Sequence, residues 1–146
     1  MNRILWVMAG VWLLACPLAR ASDEVDPSKL YDLSTAGSTQ KLKLGDKGTV
    51  VIAITAKPGA HVSDEAPIKI ELSGANLKLA KQKLTAADSL AKKDPAKEGV
   101  SPRFEVPFTG AAAGKGTLEA KLSFFICTDK LCARQQKTLS VPVEVN

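Results

Sequence analysis

Leu118, Ala120, Leu122 and Phe124 recur at every second position late in the chain, with Glu119, Lys121 and Ser123 between them. Leu139, Val141, Val143 and Val145 repeat the pattern after a short interruption. A period of two marks a strand with one face toward a core and the other toward water. Shorter stretches of the same character come earlier. Leu42 and Leu44 alternate with lysines, residues 49–56 form a run rich in β-branched side chains, and Ile68, Ile70 and Leu72 alternate with Lys69 and Glu71. Residues 77–84 read as a further strand, and Phe104, Val106 and Phe108 as another, which Pro107 marks as an edge or irregular one.

Turn chemistry separates these runs. Residues 45–48 begin and end in glycine and join 40–44 to 49–56 as an antiparallel pair; Lys57-Pro58-Gly59 closes the second strand, and Ser73-Gly74 ends the strand at 68–72. Residues 85–101 are rich in Ala, Lys, Asp and Pro and read as the longest surface connection, with room for a helical turn around Ala86 to Lys92 that Pro95 and Gly99 break off. Seven to eight short strands without a long helix predict an all-β fold, an immunoglobulin-like antiparallel β-sandwich.

Composition adds that the core is mainly aliphatic, because the 146 residues are 45% hydrophobic but only 5% aromatic. The N-terminus reads differently from the rest. Arg3 supplies a positive start, residues 4–14 are apolar but too short to span a bilayer, and Ala19-Arg20-Ala21 is a small-x-small cleavage site, so residues 1–21 are expected to be a signal peptide. Leu13-Leu14-Ala15-Cys16 offers a rival, a lipobox that would anchor the protein to a membrane through a lipidated Cys16. The expected location is thus periplasmic or secreted, with a lipoprotein as the alternative. Residues 22–39 are polar, with Leu30, Tyr31 and Leu33 as their apolar group, and read as a flexible lead-in in which Tyr31 docks on the domain formed by residues 40–146.

Charge excludes one class of partner. Without Arg3 and Arg20 the chain keeps 18 of its 20 basic residues against 15 acids, a net charge of +3. Those lysines are spread along the chain with few aromatics, unlike the dense basic surface that nucleic acid requires.

Either N-terminal reading removes Cys16 from the thiol count and leaves Cys127 and Cys132 in a compartment that permits disulfides. If the strands at 117–126 and 133–145 pair, the two cysteines face each other at the mouth of the turn, where opposed Cα atoms lie about 4.5–5.5 Å apart, within disulfide range. A bridge across so short a loop stabilises the fold by only about 2 kcal/mol. Lys130 and Arg134 would favour a thiolate there; Asp129 would oppose it, as would desolvation by Phe124, Phe125 and Ile126. A structural staple and a reactive pair therefore both remain open on these residues. Two cysteines and one histidine make a poor metal site, and no cofactor is called for.

The segment Leu122-Ser123-Phe124-Phe125-Ile126-Cys127-Thr128-Asp129-Lys130-Leu131-Cys132 resembles the signature of the N-terminal periplasmic domain of DsbD-type thiol:disulfide interchange proteins and their stand-alone relatives. The loop from Lys57 through Pro58, Gly59, His61 and Asp64 to Pro67 is similar to a second stretch of that family. The chain departs from the family pattern at Ala60, Phe124 and Ala133-Arg134. The resemblance implies an immunoglobulin-like sandwich whose Cys127 and Cys132 shuttle between dithiol and disulfide. Its implied partner is a periplasmic thioredoxin-like oxidoreductase or a membrane electron carrier acting in trans. It also implies a shielding aromatic over the bridge; Phe124 and Phe125 point to opposite faces of one strand, so one belongs to the core and the other is available for that role.

His61, the lone histidine, could serve as a proton donor near the cysteines or simply bond its own loop; Asp64 and Glu65 read as turn residues. No nucleophile triad, Walker sequence or dinucleotide fingerprint is present. Two functions stand: thiol/disulfide exchange, or a non-catalytic structural or protein-binding sandwich with a permanent hairpin disulfide.

Overall fold

The alternating runs become ten strands that form two sheets, packed face to face in a computed structural model that describes residues 24–91 and 101–146. The signal-peptide and Cys16 readings fall outside the described residues. One sheet has the order β1-β3-β8-β6, from β1 (Tyr31–Ser34), β3 (Lys47–Ala56), β8 (Arg103–Gly110) and β6 (Leu77–Leu79). The other has the order β2-β10-β9-β5-β7, from β2 (Lys41–Leu42), β10 (Cys132–Val145), β9 (Gly114–Cys127), β5 (Lys69–Gly74) and β7 (Lys83–Thr85). The tenth strand, β4 (His61–Val62), pairs with β9 beyond the end of β5. All pairs are antiparallel except β2 with β10. This is an antiparallel β-sandwich of immunoglobulin-like type, with more strands than the sequence pattern predicts because several are only two to four residues long.

The period-two side chains fill the space between the sheets. Val50, Ile52 and Ile54 of β3 and Phe104, Val106 and Phe108 of β8 meet Ile70 and Leu72 of β5 and the inward row of β9, all buried. Burial of such side chains contributes about 1.5–3 kcal/mol each and is the main force holding the layers together. Phe108 packs over Gly48, where an added Cβ would fall 2.7 Å from the ring, so a glycine is what leaves room for the aromatic against β3.

Four expectations change. Residues 22–39 are not merely a lead-in, since Tyr31–Ser34 form an edge strand in register with β3 from Ala56 to Ala53. Tyr31 does dock on the domain and is buried. Lys41–Leu42 pair in parallel with Glu144 and Val145 of β10 rather than with the β-branched strand that follows, because the chain crosses from one layer to the other between them. Residues 77–84 likewise divide into β6 and β7, one in each sheet, crossing the sandwich at 80–82.

Pro107 does not make β8 an edge strand, because β8 lies between β3 and β6. Its carbonyl accepts from the Ala80 N–H at 3.0 Å, just past the end of β6. The reciprocal donor is the one proline lacks, so the defect falls where the neighbouring strand runs out.

Candidate functional site: the bridged end of the longest hairpin

β9 and β10 form one unbroken ladder of fourteen residue pairs from Gly114↔Val145 to Cys127↔Cys132. Its turn is organised by Thr128. The Thr128 N–H donates to the Leu131 carbonyl at 2.7 Å, and its hydroxyl oxygen accepts from the N–H groups of Lys130 and Leu131 at 3.2 Å each. This is the local bonding that makes threonine a turn residue. Asp129 and Lys130 are left exposed at the tip.

The turn sets Cys127 opposite Cys132 with a Cα separation of 4.0 Å, and the two are joined by a disulfide. Bonding of Thr128 to Leu131 makes the cysteines a non-hydrogen-bonded pair, the type in which side chains approach most closely. Their surroundings differ. Cys127 lies between two neighbours, β10 and β4, and is 3% exposed, whereas Cys132 begins β10 with an open flank and is exposed.

β4 brings His61 into register with Cys127. The chain reaches that position through a tight turn in which the Ala60 N–H donates to the Lys57 carbonyl at 3.0 Å and Gly59 takes φ = 80°, a value that favours glycine. Directly opposed residues point to the same face of a sheet. His61, Cys127 and Cys132 therefore form one row across three strands on the outer face, with His61 half-buried at one end and Cys132 exposed at the other. Past His61, the Ser63 N–H donates to the Phe125 carbonyl at 2.9 Å. The stretch from Val62 to Lys69 runs against only Ile126 to Ser123 of β9, so four residues bulge outward, carrying exposed Asp64 and Glu65.

The two phenylalanines part company as the strand period requires. Phe124 is fully buried, with its ring 4.9 Å from that of Tyr31 in an edge-to-face contact at 83°. Phe125 is half-buried on the outer face, two residues from Cys127 and directly across from Arg134. The Arg134 Nε donates to the Ser123 hydroxyl at 3.1 Å, which draws the guanidinium along the sheet, away from the turn. Of the residues singled out in the sequence, Cys127, Cys132 and Phe125 share this end of the outer face, Asp129 and Lys130 cap it, and Phe124 lies beneath it. Among the described residues no group of three or more His, Cys, Asp or Glu is arranged to hold a metal ion.

Two features of the site have little signature in sequence. The register of His61 with Cys127 depends on a two-residue strand, too short to show any period. The unequal exposure of the cysteines follows from strand order, which gives β9 neighbours on both sides and β10 a neighbour on one side along this stretch.

Compared with known protein families and with curated proteins, the chain matches none. Among solved structures it is similar to a cohesin module from a Clostridium perfringens family 33 glycoside hydrolase, with 8% sequence identity and a TM-score of 0.40 over 80% of this chain and 95% of the module.

Proposed function

We propose that the chain is an exported domain whose Cys127–Cys132 bridge exchanges with a thioredoxin-fold partner in the periplasm. The observation that carries this reading is the asymmetry of the bridge: Cys132 is exposed and Cys127 is 3% exposed. Access is one of the conditions that set exchange rates, and here it selects the sulfur that is attacked. A partner thiolate attacks Cys132 Sγ, the sulfur–sulfur bond breaks, and Cys127 leaves as a thiolate next to His61. The partner's second thiol, as thiolate, then attacks the partner sulfur of the mixed disulfide and releases Cys132. Two electrons pass from the partner's dithiol, which becomes a disulfide, and the two domain thiolates take up two protons. The reverse sequence oxidises a partner by the same atoms.

The resemblance to DsbD-type N-terminal domains supports the same reading, as does the outer-face placement of Phe125 two residues from Cys127. Residues 22–146 contain no cysteine besides this pair, so within them no second dithiol passes electrons on.

The test is a titration of the bridge against glutathione and dithiothreitol buffers, with thiols counted by mass. Exchange-competent bridges sit at about −120 to −270 mV, and structural ones below about −300 mV. A bridge that stays closed through the first range is a permanent staple, and the domain is then a structural or binding module. Trapping gives the atom-level check. Cys127→Ser leaves the exposed Cys132 to hold a partner as a mixed disulfide, while Cys132→Ser leaves a buried thiol that captures at least tenfold less.

A further inference from the structure

The flank of β10 beside Cys132 is an unpaired sheet edge. Cys132 and Cys127 form a non-hydrogen-bonded pair, so the alternate residues Ala133, Gln135, Lys137 and Leu139 direct their backbone groups toward β9. Cys132, Arg134, Gln136, Thr138 and Ser140 direct theirs the other way. The far end of the strand confirms the phase, since the N–H groups of Glu144 and Asn146 donate across that flank to the carbonyls of Gln40 and Leu42 at 2.8 and 2.9 Å. Before β2 arrives, these outward groups have no backbone partner among the described residues. The one internal bond there is from Gln135 Nε2 to the Arg134 carbonyl at 3.0 Å. The run of nine residues without a ladder partner is about 30 Å long, although the turn at Pro27–Lys29 packs against part of β10, whereas the strands at the other sheet edges have two to four residues.

The edge has a sign as well as a length. From Lys130 to Val143 the chain contains Lys130, Arg134 and Lys137 and no acid, and the one acid brought to this edge from elsewhere in the described residues is Asp26, which interacts with Lys137. A shallow depression on the sheet beside it is lined by Lys69, Lys121, Arg134 and Lys137, with Glu71 as its one acid. Cations on an open edge discourage pairing with a like edge, which argues against a second copy of this chain, and favour an acidic strand.

We propose that β10 from Cys132 to Ser140 is a strand-addition site for an acidic extended segment of the exchange partner. This rests on the exchange reading for the partner's identity. Main-chain bonds from the added strand supply affinity, and acidic side chains on its two faces, one meeting Arg134 on the outer face and the other Lys137 on the inner, supply selectivity. The same edge leads to the exposed sulfur, so docking carries the partner's thiol toward Cys132.

The experiment uses the oxidised protein, so it is independent of exchange. A ten-residue peptide in which pairs of glutamates alternate with pairs of threonines, so that both strand faces carry acid, is titrated in, its lysine counterpart serves as control, and backbone amides are followed by NMR shifts and hydrogen exchange. The glutamate peptide is expected to slow exchange roughly tenfold at the outward amides of Arg134, Gln136, Thr138 and Ser140, with little change at the inward ones already bonded to β9. Gln136→Pro removes one outward N–H without touching the ladder, as Pro142 already does in the same phase, and should weaken binding roughly fivefold to tenfold. Reversing charge with Arg134→Glu and Lys137→Glu should transfer the preference to the lysine peptide.

Equal binding of both peptides, shifts confined to Lys69 and Lys121, or a Gln136→Pro protein that binds as the parent does would each overturn the proposal. So would outward amides already protected in the peptide-free protein together with a dimer in sedimentation, which would assign the edge to a second copy. Peptide binding with a bridge that never exchanges would instead leave this site standing and remove the redox reading.

Discussion

The two halves of the β9–β10 hairpin share one register and differ in what β10 turns toward the core. In the half remote from the turn, Val141, Val143 and Val145 face inward and are buried beside Leu118 and Ala120, with β5 on one flank and β2 on the other. In the half near the turn β9 continues unchanged, with Leu122, Phe124 and Ile126 buried, but the same face of β10 carries Lys137, Gln135 and Ala133. One half is closed by aliphatic packing between neighbours on both sides. On its β10 side the other is closed by three separate devices: the edge-to-face contact of Tyr31 on Phe124, the hydrogen bond from the Tyr31 hydroxyl to Gln135 Oε1 at 3.1 Å, and the disulfide. A hairpin can thus keep a continuous ladder while its core support changes from collective to piecemeal, and the piecemeal half is where the exposed sulfur and the open edge lie.

Removing each device in turn measures that difference. Phe124→Ala takes away the ring that both β9 and Tyr31 pack against and leaves a cavity in the core. It should cost about 3–5 kcal/mol in chemical unfolding, the largest effect of the three. If it costs no more than an exposed substitution, the near half is not supported through Phe124 and the contrast with the remote half fails.

The bridge is the middle term. Its loop spans a sequence separation of five, so closing it constrains the unfolded chain by only about 2 kcal/mol. The Cys127→Ser, Cys132→Ser double variant should therefore fold, with an unfolding free energy lowered by about that amount. Hydrogen exchange should quicken at residues 123–127 and 132–136 more than at 114–120. Uniform quickening along the hairpin would mean that the two halves open as one unit.

The hairpin itself was legible in sequence because long period-two runs at 118–124 and 139–145 leave little choice of secondary structure, and the cysteine spacing indicated where the turn falls. Layer assignment was not. Lys41–Leu42 and the segment that becomes β6 and β7 show the right local pattern, but which sheet a short strand joins is decided by tertiary packing, and three residues cannot encode it. The site divides the same way. Cys127, Cys132 and the split between Phe124 and Phe125 follow from alternation, whereas the row of His61, Cys127 and Cys132 and the difference in cysteine exposure depend on which strands flank β9 and β10. Tyr31 illustrates both: its apolar character suggested docking, but nothing local announced a strand beneath it or Gln135 as its partner.

The smallest of the three effects is also the one with a pH signature. Tyr31→Phe keeps the ring on Phe124 and removes only the hydroxyl bond to Gln135, a loss of about 1 kcal/mol at neutral pH. Burial, reinforced by the negative charge of Asp26, raises the phenol above its ordinary value of 10.0. Below that value folded and unfolded chains both hold the proton, and the contribution of Tyr31 is fully present. Above it the unfolded chain releases the proton first, so stability falls as pH rises, until the folded phenol has also titrated. The parent's advantage over Tyr31→Phe should therefore be constant from pH 7 to 9 and shrink at higher pH. Subtracting the two unfolding curves cancels the lysines that titrate in the same range. Tyr31 is the sole tyrosine, so phenolate absorbance reports its titration directly. A phenol that titrates at its ordinary value in the folded protein would show that the near half admits water around Tyr31, and that the bridge and Phe124 alone hold it closed.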